Sequence, residues 1–136
     1  MSPSARSSLA AYRSTAAIGG VAASDPHGLI LMLFDGALDR IAAARGCMNN
    51  RVPAEQSALI HRAVSIIAEL RGSLNLADGG ELAANMAELY DYSCRRLMTG
   101  SSTNRPELLD EVAGLLREIR SAWVALPAEA RALRRS

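Results

Sequence analysis

Apolar side chains recur along this chain at steps of three and four residues in four separate stretches, the pattern of amphipathic helices rather than strands. The first stretch carries Ile30, Leu33, Phe34, Ala37, Ile41, Ala44 and Met48 on one face. It opens on Ser24-Asp25-Pro26, where Ser24 or Asp25 can cap the helix and Pro26 sits at the first helical position. Asn49-Asn50 closes it, so the pattern predicts a helix from Pro26 to about Met48. A second helix is predicted from Pro53 to about Leu76, with Ile60, Ala63, Val64, Ile67, Leu70 and Leu74 as its stripe and Leu59 and Ile66 widening it. Asp78-Gly79-Gly80 marks the next turn. From Glu81 to about Thr99 a third stripe reads Leu82, Met86, Leu89, Tyr90 and Leu97, stopped by Gly100-Ser101-Ser102. Asn104 is the expected cap of a fourth helix, about Pro106 to Leu126, whose Leu109, Val112, Leu116, Ile119, Trp123 and Leu126 alternate three- and four-residue steps.

Four helices of about 20 residues, each about 30 Å long and joined by short connections, imply an all-α, antiparallel four-helix up-and-down bundle. Residues 24–126 form that bundle. Residues 1–23, rich in Ser, Ala and Gly, read as a flexible N-terminal arm, and residues 127–136 as a short C-terminal tail with a solvated basic end. One feature exceeds what a simple stripe needs. Leu29-Ile30-Leu31-Met32-Leu33-Phe34 is an unbroken apolar run, and at about 100° per residue it spreads around most of a helix. Ile30, Leu33 and Phe34 follow the core stripe, whereas Leu29 and Met32 point to a neighbouring face. The surplus is absorbed either by a central position in the bundle or by a groove that docks another chain.

Composition narrows the function more than the fold. The 136 residues suffice for one core without disulfides or metal, and the content is 49% hydrophobic but only 4% aromatic. A formal net charge of +1 gives no long-range field to gather nucleic acid, and Arg95, Arg96, Arg117 and Arg120 are interleaved with Glu88, Asp91, Glu111 and Glu118. All cations are arginines. Met1 to Gly20 has no apolar signal region and no run reaches the ~18 residues of a membrane span, so a cytoplasmic protein without membrane insertion is expected. Cys47 and Cys94 stand apart in helical patterns and read as buried free thiols.

Catalytic constellations are not in evidence. A di-iron bundle needs Glu-x-x-His on two helices, but Ser24 and Ala58 stand three before His27 and His61. Gly19-Gly20 and Gly79-Gly80 lack the strand and lysine of a phosphate loop. A Ser93 or Cys94 nucleophile has only Glu88 and Asp91 nearby in sequence, and Asp91 with Arg95 forms an ordinary i, i+4 surface pair. No cofactor, no metal and no enzymatic activity are expected.

The ordered motifs carry a resemblance. Ala23-Ser24-Asp25-Pro26-His27-Gly28-Leu29-Ile30-Leu31-Met32-Leu33-Phe34-Asp35-Gly36-Ala37-Leu38 resembles the opening helix of the flagellar secretion chaperone FliS family. Ser73-Leu74-Asn75, Gly79 to Ala83, Leu89-Tyr90-Asp91-Tyr92 with Arg95-Arg96-Leu97, Asp110-Glu111-Val112 with Leu115-Leu116-Arg117, and Ala122-Trp123 follow in the family's order, from about Tyr12 to Leu126. Two departures stand out: Asp25 interrupts the Ser-Pro step, and Thr99 to Pro106 replaces an Ala-Asn-Leu-x-Asn-Asp connection.

The resemblance implies a cytoplasmic chaperone that binds the disordered C-terminal segment of flagellin, prevents premature polymerisation and delivers it to the flagellar type III export apparatus. It places client binding at Tyr12, Ile18, Val21, Pro26, Leu29, Met32, Leu33 and Tyr90, with Tyr12 as a cover that moves when the client arrives. Leu9 and Tyr12 match a pair implicated in contact with an export gate component. Two alternatives remain: a self-associating bundle whose surplus face is covered by a homodimer partner, and a bundle enzyme, which would need a metal or cofactor.

Overall fold

In the computed structural model, which describes residues 26–125, four helices follow one another: α1 Pro26–Asn50, α2 Pro53–Gly72, α3 Gly80–Ser102 and α4 Pro106–Ala125. The arm, the Ser24-Asp25 cap and the tail lie outside the described residues. Each helix packs mainly against its neighbours in the cyclic order α1–α2–α3–α4–α1, as in an up-and-down bundle, and α1 against α2 is the most extensive contact.

The connections explain the helix ends. At the end of α1, Arg51 takes the left-handed conformation (φ 57°) and the Val52 amide returns to the Cys47 carbonyl at 3.0 Å. That is the long-range bond of a Schellman motif. The helix therefore runs through Asn49-Asn50, and Arg51 rather than an asparagine takes the left-handed turn. The same device ends α3. Asn104 is left-handed (φ 52°), the Arg105 amide bonds the Gly100 carbonyl at 2.8 Å, and the Asn104 amide bonds that of Ser101 at 3.3 Å.

Asn104 is thus the C-terminal stop of α3 and not the cap of α4; Arg105 precedes the Pro106 start, its carbonyl accepting from Leu108. Gly100-Ser101-Ser102 does not stop α3 but completes it. A Cβ on Gly100 would stand 2.8 Å from Leu109 Cδ1 and 2.9 Å from Leu108 Cβ, so the missing side chain is what lets α3 and α4 close together here.

α2 stops at Gly72, four residues before the expected Leu76. The Ser73 hydroxyl donates to the Leu70 carbonyl at 2.6 Å, and Asn75 organises the following turn by accepting the Asp78 amide on its Oδ1 and the Gly79 amide on its carbonyl. Gly80 enters α3 at φ +61°, a conformation that glycine adopts without Cβ strain.

The core draws on all four helices: Ile30, Leu33, Phe34, Ala37 and Ile41 from α1; Ile60, Ala63, Ile67 and Leu70 from α2; Ala87, Tyr90 and Leu97 from α3; and Leu109, Val112, Leu116 and Trp123 from α4. Phe34 and Tyr90 meet across its centre at 6.4 Å. Ile119 is only half-buried, the one described position where the α4 heptad leaves the core.

Ion pairs tie the seams from outside: Arg45–Asp110 at 3.1 Å and a bidentate Arg120–Asp35 between α1 and α4, and Arg71–Asp91 at 2.8 Å between α2 and α3. Asp91 therefore serves an interhelical pair instead of the expected local one with Arg95. Such exposed pairs contribute roughly 0.2–1 kcal/mol each, so the core dominates.

Candidate client-docking surface

The α1 flank expected to meet a client is only partly open. His27 and Arg45, which meet Trp123 and Asp110, mark the α4-facing flank of α1. Leu29 and Met32 lie about 140–160° around the helix from them, on the flank toward α2. Both are half-buried, and Pro26 is exposed at the helix start.

Leu33 and Tyr90 are different. They are 2% and 0% exposed and belong to the core, so as placed here they support the surface from beneath and offer no side chain to a partner. The apolar run lies half in the core because helical spacing sends every third or fourth residue inward. Leu9, Tyr12, Ile18 and Val21 lie outside the described residues.

A second apolar surface lies elsewhere. Across the α3–α4 seam the Tyr92 hydroxyl donates to Glu111 Oε2 at 2.6 Å and Arg96 Nε donates to Oε1 at 2.8 Å, with the guanidinium 5.6 Å from the Tyr92 ring centre. The Tyr92 hydrogen bond, followed by the Arg96 one, holds the Glu111 carboxyl below its ordinary range. The same bond to Glu111 raises the Tyr92 hydroxyl, and Glu111 likewise raises Arg96.

This clamp fixes the rotation of both helices. Leu89 and Leu82 stand seven and fourteen residues before Arg96, and Leu115 and Ile119 four and eight after Glu111, so all four border the same seam. Leu82 is 57% exposed and Leu89 37%, while Leu115, Ile119 and Met86 are half-buried. Leu82 and Leu89 are therefore not the core positions that the third stripe suggests. They sit on the edge of the buried arc, where α4 only partly covers them.

Elsewhere the described surface offers little chemistry. Two open clefts of about 350 and 530 Å3 meet at the end of the bundle formed by the α1–α2 and α3–α4 connections, sharing Pro53, Gln56 and Asn104. Gln56 spends its amide on the Ser101 carbonyl and hydroxyl, and bridges α2 to α3. Among the described residues no grouping of His, Cys, Asp or Glu could hold a metal ion, and no helix is long and apolar enough to cross a membrane.

Cys47 is buried and Cys94 half-buried, and both thiols are free. Burial, with Asp91 adding to it, pushes the Cys94 thiol up to about 11, opposite to what a nucleophile needs. What the described surface presents is apolar area on two flanks of the bundle, at Leu29 and Met32 and at Leu82 and Leu89.

Sequence comparison supplies the family. The family model described as Flagellar protein FliS matches residues 8–130. The chain is 41% identical over 112 residues to flagellar secretion chaperone FliSB of Pseudomonas aeruginosa, covering 82% of this chain and 89% of that protein. It is 33% identical to flagellar secretion chaperone FliS of Vibrio cholerae, covering 91% of each. The FliS of Salmonella typhimurium is 36% identical, over 86% of this chain and 87% of its own. A family match across nearly the whole chain, on the helical bundle described above, means that this chain belongs to the FliS family of flagellar chaperones, which are not enzymes.

Proposed function

We propose that this flagellar export chaperone acts in the bacterial cytosol, binding the disordered C-terminal segment of flagellin, keeping it from polymerising early, and delivering it to the type III export apparatus. The observation that carries this reading is the pair of separated apolar surfaces, Leu29 and Met32 on one flank of the bundle and Leu82 and Leu89 on another. A compact partner would meet one such surface. An unfolded segment can wrap the bundle and reach both, folding as it binds and hiding surfaces that would otherwise make filament contacts.

In this reading Pro26, Leu29 and Met32 line the first contact, and Leu33 and Tyr90 shape it from below. Leu9, Tyr12, Ile18 and Val21 belong to a movable arm, with Tyr12 covering the empty groove and Leu9 and Tyr12 meeting the export gate component.

Titration of the full chain with a peptide covering the last ~40 residues of the cognate flagellin, followed by calorimetry, tests the proposal; that length suits a segment that folds on binding. Saturable binding at micromolar concentration or tighter, with a negative heat-capacity change, is the expected result. No binding at moderate salt sinks the assignment. Leu29→Asp and Met32→Asp should each weaken binding at least tenfold while the helical circular dichroism is kept. A homodimer that persists in the presence of saturating peptide would favour self-association through the same faces instead.

A further inference from the structure

The open part of the α3–α4 seam has an acidic rim as well as an apolar floor. Glu88 and Glu81 stand four and eleven residues before Tyr92, and Glu118 seven after Glu111, so the residues of the clamp place all three beside the seam. They are exposed, and no ion pair within the described residues engages them. The floor between them is Leu82, Leu89, Leu115 and Ile119. Its complement is a short segment with a few apolar side chains and several cations.

Such a segment follows α4 directly. Residues 126–136 read Leu-Pro-Ala-Glu-Ala-Arg-Ala-Leu-Arg-Arg-Ser, with three arginines to one glutamate and Leu133 among them. Pro127 lacks an amide donor and disfavours helical geometry at the residue before it, a sequence feature that suits a change of direction after α4.

The reach is sufficient. Leu133 is eight residues past Ala125, up to about 26 Å of extended chain, whereas the α4 positions opposite Leu89 are about 10–17 Å back along the helix. The N-terminal arm also carries arginines, but it joins α1, which packs on the opposite side of α4 from this seam. We propose that residues 126–136 fold back as an intramolecular strap over the open α3–α4 seam, Leu133 seated on Leu89 and Ile119, and Arg131, Arg134 and Arg135 against Glu81, Glu88 and Glu118.

The strap is a property of the free chain and does not rest on the identity of the client. It gives the exposed leucines a local cover, one that salt weakens because its charge pairs are solvent-exposed.

Methyl NMR on the full chain with labelled Leu and Ile methyls tests it. Leu133→Asp, or Glu at Arg131, Arg134 and Arg135 together, should shift the Leu82, Leu89, Leu115 and Ile119 methyls by more than their linewidths. The core methyls of Leu97, Leu109 and Leu116 should stay in place, and the shifts should not depend on protein concentration. In a chain whose Glu81, Glu88 and Glu118 are changed to Arg, the glutamate-bearing tail rather than the arginine-bearing one should respond to Leu133→Asp.

Seam methyls that ignore the tail variants overturn the proposal. So do shifts that grow with concentration, which would put a second copy on the seam. Seam shifts produced by Leu9→Asp or Tyr12→Asp but not by the tail variants would put the arm there.

Discussion

The two halves of α3 begin from the same leucine periodicity and end in opposite states. In the C-terminal half, Leu97 is fully buried, Gly100 brings the backbone against Leu108 and Leu109, and Tyr92 with Arg96 grips Glu111. In the N-terminal half, Leu82 and Leu89 border the same neighbour yet stay open to solvent. The difference lies first in rotation about the helix axis. At about 100° per residue Leu97 is turned about 60–80° from Leu82 and Leu89, toward the core side that Tyr90 shares, and Gly100 then lets α4 close over that end. A side-chain-free contact at the turn draws the helices together at one end, and no equivalent contact among the described residues does so at the other. An apolar surface is thereby closed into core at one end of the seam and left exposed by the described residues at the other.

Variants along this seam break or sharpen that contrast. Leu97→Ala should have the largest effect, about 2–5 kcal/mol of lost stability by chemical denaturation, because a fully buried leucine leaves a cavity between packed helices. Gly100→Ala comes next. Its Cβ meets Leu108 and Leu109 at less than 3 Å and the Arg105 carbonyl at 3.2 Å, which should cost about 1–3 kcal/mol of overpacking before about 1 kcal/mol of regained helix propensity is deducted. A Gly100→Ala chain as stable as its parent would remove close approach as the reason for the contrast.

Leu89→Ser, in the open half, should change stability by no more than about 0.5 kcal/mol while weakening the flagellin peptide in the calorimetric titration. A large stability loss there would mean that the seam is core after all.

The smallest effect is a pH dependence at the clamp. Glu111 has a depressed carboxyl pKa, so its contribution is present at neutral pH, above the ordinary carboxylate range, and is lost as pH falls through the lowered value. The thermal midpoint of the parent should therefore drop more between pH 7 and pH 3 than that of Glu111→Gln. Equal drops would show that the clamp only marks the seam and does not help to hold it.

Much of this was legible in sequence because it depends on neighbours along the chain. Proline starts, three-and-four spacing and short connections need no tertiary information, and the four predicted helices coincide with the observed ones to within a few residues. The errors share a cause. Asn104 suits both an N-cap and a left-handed helix stop, and only the bond from Arg105 to the Gly100 carbonyl distinguishes them. Asp91 has an arginine four residues on, but Arg71 of the neighbouring helix occupies it. Leu82 and Leu89 look as apolar as Leu97, and only their rotation of about 60–80° around the helix from it, whose direction relative to α4 the sequence leaves open, separates them.

Sequence by itself determined the helices, their order, the core residues near the centre of each stripe and, through the matched motifs, the family. Spacing fixes which residues share a face. It does not fix how far that face is rotated toward its neighbour or how closely the neighbour comes. Those two quantities were decided only by the tertiary structure, through Gly100 at the turn and Glu111 between Tyr92 and Arg96. They separate Leu33 and Tyr90, sealed in the core, from Leu82 and Leu89, left at the surface.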